Sequence, residues 1–265
     1  MSLLQINDVT LNCEVSGAGL GTLVLIHEMG GCIASWDGIA NRLAQGCRVV
    51  RYDARGSGAS TKTPGPYSID EEVGDLARVL DALGIVGPVA LAGAAMGVAV
   101  AIRFATRFPE RTAAIIGLSP VTGIGESRRE GLRAYANKME RGLEPLVDAS
   151  LRVTYPPELI HDQAVFEAFR ARWVSNDPAS FAGKYRMLID LDIRADFAKV
   201  RCPTLLIAGS KDPLLTPANV EGLARAIPGA RTVEIDSGHF MATQTPGLVI
   251  DAIGAFLADL GISSS

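Results

Sequence analysis

The sequence predicts an α/β fold in which a mostly parallel sheet is covered by helices on both faces. Three observations lead there. Strand-like runs such as Val89–Ala92 and Thr204–Ala208 are short and wholly apolar, without the polar alternation of a half-exposed strand. These runs alternate with helix-like segments, as consecutive βα units do. Glycine and proline punctuate the joints between them. A chain of 265 residues, 48% hydrophobic and 20% charged, has the size and composition to bury such a sheet.

Taken in order, Leu11–Ser16 and Thr22–Ile26 read as strands, the second ending at His27. Ser35–Leu43 reads as a helix and Arg48–Tyr52 as the next strand. Pro64-Gly65-Pro66 breaks the chain. Ser68 and Glu71 then form a capping box, so a helix runs from about Ile69 to Leu83 and stops at Gly84. The strand Val89–Ala92 leads into an apolar helix over Met96–Arg107, followed by a strand at Thr112–Leu118. Over residues 121–196 strand-like runs vanish, and the helical segments Glu126–Glu140, Leu143–Arg152, Asp162–Val174 and Pro178–Leu188 follow one another. This stretch is expected to be a helical insertion, too short to build its own core easily, with 1–120 and 197–265 forming the body. Alternation resumes with the strand Thr204–Ala208, a helix opened by Thr216-Pro217, and the strand Arg231–Ile235. Thr245-Pro246 opens a last helix to about Leu260, with proline at its first position. Ile262–Ser265 is expected to be a solvated tail.

Composition excludes several functions. A net charge of −4 offers no basic surface for phosphates, so no nucleic-acid partner is expected. The longest apolar stretch, Pro88–Ile102, is too short to span a bilayer and is interrupted by Gly93 and Gly97. There is no secretory pattern at the start, and the four cysteines are scattered without CxxC spacing. Free thiols in a cytoplasmic protein are the expectation. Three histidines, none with metal-ligand spacing, and no glycine-rich dinucleotide fingerprint lead us to expect neither metal nor organic cofactor.

Three patterns fall where loops leave the carboxyl ends of strands, the place where open α/β sheets bind ligands. Gly93-Ala94-Ala95-Met96-Gly97 joins a strand to a helix, the setting of a G-x-S-x-G elbow. Asp212 follows the strand ending near Ala208, and His239 follows the last strand within Asp236-Ser237-Gly238-His239-Phe240. The order elbow, acid, base is that of a hydrolytic triad. His27-Glu28-Met29-Gly30-Gly31, Tyr52-Asp53-Ala54-Arg55-Gly56-Ser57-Gly58 and Phe108-Pro109 complete the set.

On these motifs the chain resembles the α/β-hydrolase superfamily over essentially its whole length, most closely the branch of 3-oxoadipate enol-lactonases and small carboxylesterases. The resemblance implies an eight-stranded, mostly parallel sheet and a lid made by the helical insertion. It implies His239 as general base, Asp212 as the group that orients it, and an oxyanion hole from the backbone N–H groups of Met29 and Met96. Gly30 and Phe240 beside the loops, with Trp173 and Tyr185 in the lid, would contact substrate, and Met187 is a further candidate. A small molecule is the implied partner, and a homodimer is left open.

Two positions depart from the pattern. Ala95 stands where the nucleophilic serine belongs, and Glu28 replaces the first glycine of HGxGG. Alanine has no nucleophilic atom, so no acyl-enzyme forms at this position. Ala95 is either a deliberate replacement of serine or the residue of a natural non-serine site, and the second departure at Glu28 favours the latter. In a natural site, His239 and Asp212 would activate water or move a proton, with Glu28 as a second carboxyl. As a serine hydrolase the chain is expected to be inactive. Ser119 and Cys32 are the candidate replacement nucleophiles. His27 is expected to tie its loop, Asp53 and Arg55 to hold their turn, and His161 to be solvated. A ligand-binding protein on a hydrolase scaffold, or a lyase or isomerase, remains the alternative to an ester- or lactone-cleaving enzyme.

Overall fold

Apolar strands stacked in parallel form the centre of the protein. The computed structural model describes residues 2–19 and 21–263. Its strands are β1 (Ser2–Ile6), β2 (Val9–Ser16), β3 (Thr22–Ile26), β4 (Arg48–Tyr52), β5 (Val89–Ala94), β6 (Thr112–Leu118), β7 (Thr204–Gly209) and β8 (Arg231–Ile235). They make one eight-stranded sheet in the order β1-β2-β4-β3-β5-β6-β7-β8. The first two pairings, β1 with β2 and β2 with β4, are antiparallel and all others are parallel.

The helices are α1 (Asp37–Leu43), α2 (Ile69–Ala82), α3 (Gly97–Arg107), α4 (Glu126–Met139), α5 (Glu144–Thr154), α6 (Gln163–Val174), α7 (Pro178–Asp190), α8 (Arg194–Phe197), α9 (Pro217–Ala226), α10 (Met241–Gln244) and α11 (Pro246–Asp259). The period of two along each strand divides its side chains between two cores. Val24, Ile26, Leu91 and Leu206 face the core under α2, α3 and α9. Leu23, Leu25, Ala90, Ala92 and Ile207 face the one under α1 and α11. Both faces are dry, so the central strands carry no polar alternation.

Most expected elements stand within a residue or two of their sequence boundaries. One differs instructively. Ser35–Leu43 is not one helix: Ile33–Trp36 is a 3₁₀ turn and α1 begins at Asp37. The Ser35 hydroxyl donates to Glu28 Oε1 at 2.8 Å and accepts from the Cys32 N–H at 3.3 Å, so it serves the preceding loop and not a helix. Ile262 is not solvated tail, because it packs half-buried on the core and its N–H donates to Leu257 O; Ser264 and Ser265 lie outside the described residues. Strand β1 was not anticipated. It is a hairpin partner of β2 through Asn7-Asp8, with Asn7 at φ 50°, a turn signal that short polar residues carry.

Helices α4 to α7 follow one another between β6 and β7, and a bridge pairing Gly123 with Asp192 brings the two ends of this stretch together. They share an apolar cluster, Met139, Leu151, Phe169, Trp173, Phe181 and Tyr185 among its members, and that cluster is completed by Phe240 from the loop after β8. On the other side α7 is tied to the body by charge. Lys184 Nζ lies 2.9 Å from Glu72 Oε1 on α2, both side chains at most 3% exposed, beside the Tyr67 ring. A buried pair of this kind holds two elements in register, and removing one partner strands the other charge in a dry site. Lys184→Met is therefore expected to lower unfolding free energy by ~3–5 kcal/mol. In urea titrations the double variant Lys184→Met/Glu72→Leu should recover most of that loss.

Candidate functional site

The site lies at the carboxyl ends of β3, β5, β7 and β8, where four loops converge. The tightest is the turn from β5 into α3. A Cβ on Gly93 would lie 2.4 Å from the Gly97 backbone, and one on Gly97 would lie 2.3 Å from Ile26 O. Only glycine fits either position, for reasons of space. Between them Ala95 sits at φ 48°, a left-handed conformation that costs a residue with a Cβ ~1–2 kcal/mol. Its N–H donates to Leu118 O at 2.9 Å and its carbonyl accepts from Val121 N at 3.1 Å, which holds the strained turn in place. The elbow geometry is thus fully built around a methyl side chain.

The loops after β7 and β8 are stitched together. Lys211 N donates to Ser237 O at 2.9 Å, and Gly209 permits the approach, since a Cβ there would meet Ser237 O at 2.5 Å. This brings His239 Nδ1 to 2.9 Å from Asp212 Oδ2. The other oxygen, Oδ1, accepts from the N–H groups of Leu214 and Leu215 at 2.8 and 3.1 Å. Burial pushes the Asp212 carboxyl upward, but the His239 hydrogen bond and charge, with the Leu214 N–H, outweigh it and hold the group below its ordinary value. An ionised carboxylate only accepts, so Nδ1 of His239 carries the proton and Nε2 is left as the basic atom.

The loop after β3 is equally constrained. The Ala54 N–H donates to His27 Nε2 at 3.0 Å, so Nδ1–H of His27 donates to Glu28 O at 2.7 Å. His27 ties the loop and offers no free nitrogen. Glu28 is 6% exposed, and Ser35 is its hydrogen-bond donor; among the described residues no cation pairs with it. A Cβ on Gly31 would lie 2.6 Å from both the Glu28 carboxyl carbon and Ser35 Oγ, so glycine at 31 makes room for that contact. Neither the Met29 nor the Met96 N–H donates to a protein acceptor among the described residues.

A cavity of about 650 Å³ opens over these groups. Glu28, Met29, Ala95, Met96 and His239 line its floor, and Trp173, Tyr185 and Phe240 its wall. Asp212 stands behind His239, touching the imidazole and not the cavity. Gly30, expected to contact substrate, does not line it: its φ of 81° turns the backbone away, its carbonyl accepts from Asn176 Nδ2 at 2.9 Å, and Phe181 and Trp173 cover it. Met187 packs in the body core. Ser119 is fully buried and outside the cavity wall, and burial raises the Cys32 thiol above its ordinary range, which disfavours the nucleophilic thiolate. Asp53 accepts from Asn12, Ile33 and Ala59, and Arg55 pairs with Asp75, so both hold their turn. His161 is exposed.

Sequence reasoning missed Ser35, Tyr135, Leu132, Leu214 and Leu215. The last four line the cavity from α4 and from the loop after Asp212. Ser35 carried a signal, since it lies three residues after Cys32 at the start of a helical segment, the spacing of a reciprocal cap.

A family model described as the alpha/beta hydrolase family matches residues 23–252. A protein named "Putative carbamate hydrolase RutD" from Azorhizobium caulinodans is 33% identical, the match covering 96% of this chain and 97% of that one. The 3-oxoadipate enol-lactonase 2 of Acinetobacter baylyi is 27% identical, over 96% and 95%. Among solved structures, the enol-lactonase from Burkholderia xenovorans LB400 superposes with a TM-score of 0.91 at 26% identity, covering 97% of this chain and all (100%) of that one.

The environment of His27 makes stability depend on pH. Burial, with Lys184 nearby, lowers its pKa from the ordinary 6.5, so below pH 6.5 the unfolded chain binds a proton there that the folded chain refuses. The contribution of this group is whole above that pH and declines below it. His27→Gln should flatten the stability curve below about pH 6.5, by at most ~1.4 kcal/mol per pH unit, measured as urea unfolding free energy against pH.

Proposed function

The chain belongs to the alpha/beta hydrolase family, and from that premise we propose that it cleaves an ester, lactone or carbamate carbonyl by direct attack of water, with no covalent intermediate. The observation that carries this reading is the pairing of a complete His239–Asp212 base with a methyl group at Ala95. The proton-accepting half of the machinery is intact and the acyl-accepting half has been exchanged for space. Relatives named for carbamate hydrolysis and for enol-lactone cleavage supply the range of carbonyl substrates.

The substrate carbonyl would sit over Ala95 with its oxygen toward the Met29 and Met96 N–H groups. His239 Nε2 takes a proton from water as the water oxygen bonds to the carbonyl carbon. The C=O π pair moves to oxygen, and the two N–H groups hold that charge. Collapse breaks the bond to the leaving group, which takes the proton from His239. Asp212 stabilises the imidazolium in between and keeps Nε2 aimed. General base catalysis of this kind is worth ~10²–10⁴-fold, and each oxyanion donor ~10²–10³-fold. We take residues 121–196 as the lid: Trp173, Tyr185 and Tyr135 from this stretch line the cavity and would exclude bulk water from the reaction.

The test is hydrolysis of p-nitrophenyl esters, phenyl carbamates and enol-lactones by the protein and by His239→Ala. The expected outcome is turnover in at least one class and a fall in kcat of ~10²–10⁴-fold in the variant. Saturable binding of these compounds without turnover would instead make the protein a small-molecule binder on a hydrolase scaffold.

A further inference from the structure

Against the floor of the main cavity lies a second one of about 10 Å³, the room that one water centre needs, ~10–15 Å³. Glu28, Ala95 and His239 border both. Ser35, Leu118 and Met241 line the small cavity and not the large one. The methyl group of Ala95 therefore stands between the substrate's space and a chamber for a single small molecule.

Polar side chains border the chamber beside apolar ones. A buried water needs two to four polar partners, and four residues with polar side chains border it: His239, Glu28, Ser35 and Thr243. Glu28 is the unusual member. A buried residue 6% exposed, whose carboxyl has one hydroxyl donor and no cation among the described residues, lacks the partners that normally accompany its burial. A water donating to it supplies one. Glycine at 31 reserves the space for the Glu28–Ser35 contact, and Ser35 is itself oriented by the Cys32 N–H.

We propose that this chamber seats the hydrolytic water, that Glu28 holds it by accepting one of its hydrogens, and that Ser35 is the positioning residue for Glu28. The proposal rests on the water-attack reading above and adds the source of the water. The second hydrogen points to His239 Nε2 and is the proton transferred. Glu28 moves no proton and keeps the oxygen lone pair aimed past Ala95 at the carbonyl carbon. Because the chamber admits one water, nothing larger serves as nucleophile.

Two measurements test this. A crystal structure of the protein at atomic resolution should show one water bonded to both His239 Nε2 and the Glu28 carboxyl; a chamber without that water overturns the proposal. In methanol–water mixtures, turnover should give the acid alone, whereas methyl ester in proportion to methanol means that the nucleophile arrives through the main cavity, and the proposal falls. Ser35→Ala should lower kcat about tenfold, the worth of a hydrogen bond to a charged group, with KM within about twofold and recovery in Ser35→Thr. An unchanged kcat in Ser35→Ala would remove Ser35 from the account. Hydrolysis indifferent to His239→Ala would sink the water-attack reading itself, while hydrolysis that needs His239 yet yields methyl ester sinks the chamber alone.

Discussion

Two backbone approaches at the β5–α3 turn, Gly93 onto Gly97 and Gly97 onto the carbonyl of Ile26, are the constraint from which the site follows. They bring the end of β5 and the start of α3 so close to β3 that no side chain fits between. The residue at the apex must then turn left-handed, and Ala95 does so at φ 48°. The same closeness sets the loop after β3, with Met29 and Glu28, beside the first residues of α3, with Met96. Two backbone N–H groups without protein acceptors among the described residues, a buried carboxyl and a methyl group are brought together by one crossing of strand, helix and loop. Keeping a strained elbow costs ~1–3 kcal/mol, and that cost persists here although the apex side chain has no reactive atom.

Charge explains how the remaining parts are held. Asp212 is saturated by His239 and two backbone N–H groups, so it is a fixed anion that orients an imidazole. Glu28 is the opposite case, with one donor and an open side on the cavity. Two carboxyl groups near one imidazole thus have different environments, one fully satisfied behind the ring and one facing the cavity. Environments that differ in this way assign different tasks to like groups. The helical stretch α4 to α7 is anchored at Lys184–Glu72, deep under α7, and at the Phe240 cluster on the cavity side. Its wall residues, Trp173 and Tyr185, stand between these anchors.

Much of the fold was legible in the sequence because its signals are local. Apolar runs without alternation mark strands buried on both faces, and Ser68 with Glu71 marks the start of α2 through a cap that the structure contains. The motif order placed Ala95, Asp212 and His239 at loop positions that the parallel sheet brings to one edge. What stayed hidden depends on contacts distant in sequence. Gly30 looked like a substrate contact by position in its loop, yet Asn176 and Phe181, far along the chain, cover it. The partners of Glu28 were equally invisible, since its burial is decided by the fold of the 3₁₀ turn carrying Ser35. Tyr135, Leu214 and Leu215 reach the cavity because of how α4 and the loop after Asp212 pack, which no local pattern encodes.

The central claim is that carbonyl cleavage here proceeds without a covalent enzyme adduct. Its most direct test is the intact mass of the protein, acid-quenched during steady-state turnover of a p-nitrophenyl ester or carbamate that it cleaves. The account expects product to accumulate while every protein molecule keeps its original mass. An added acyl or carbamoyl group, on any residue and formed as fast as turnover, would contradict it.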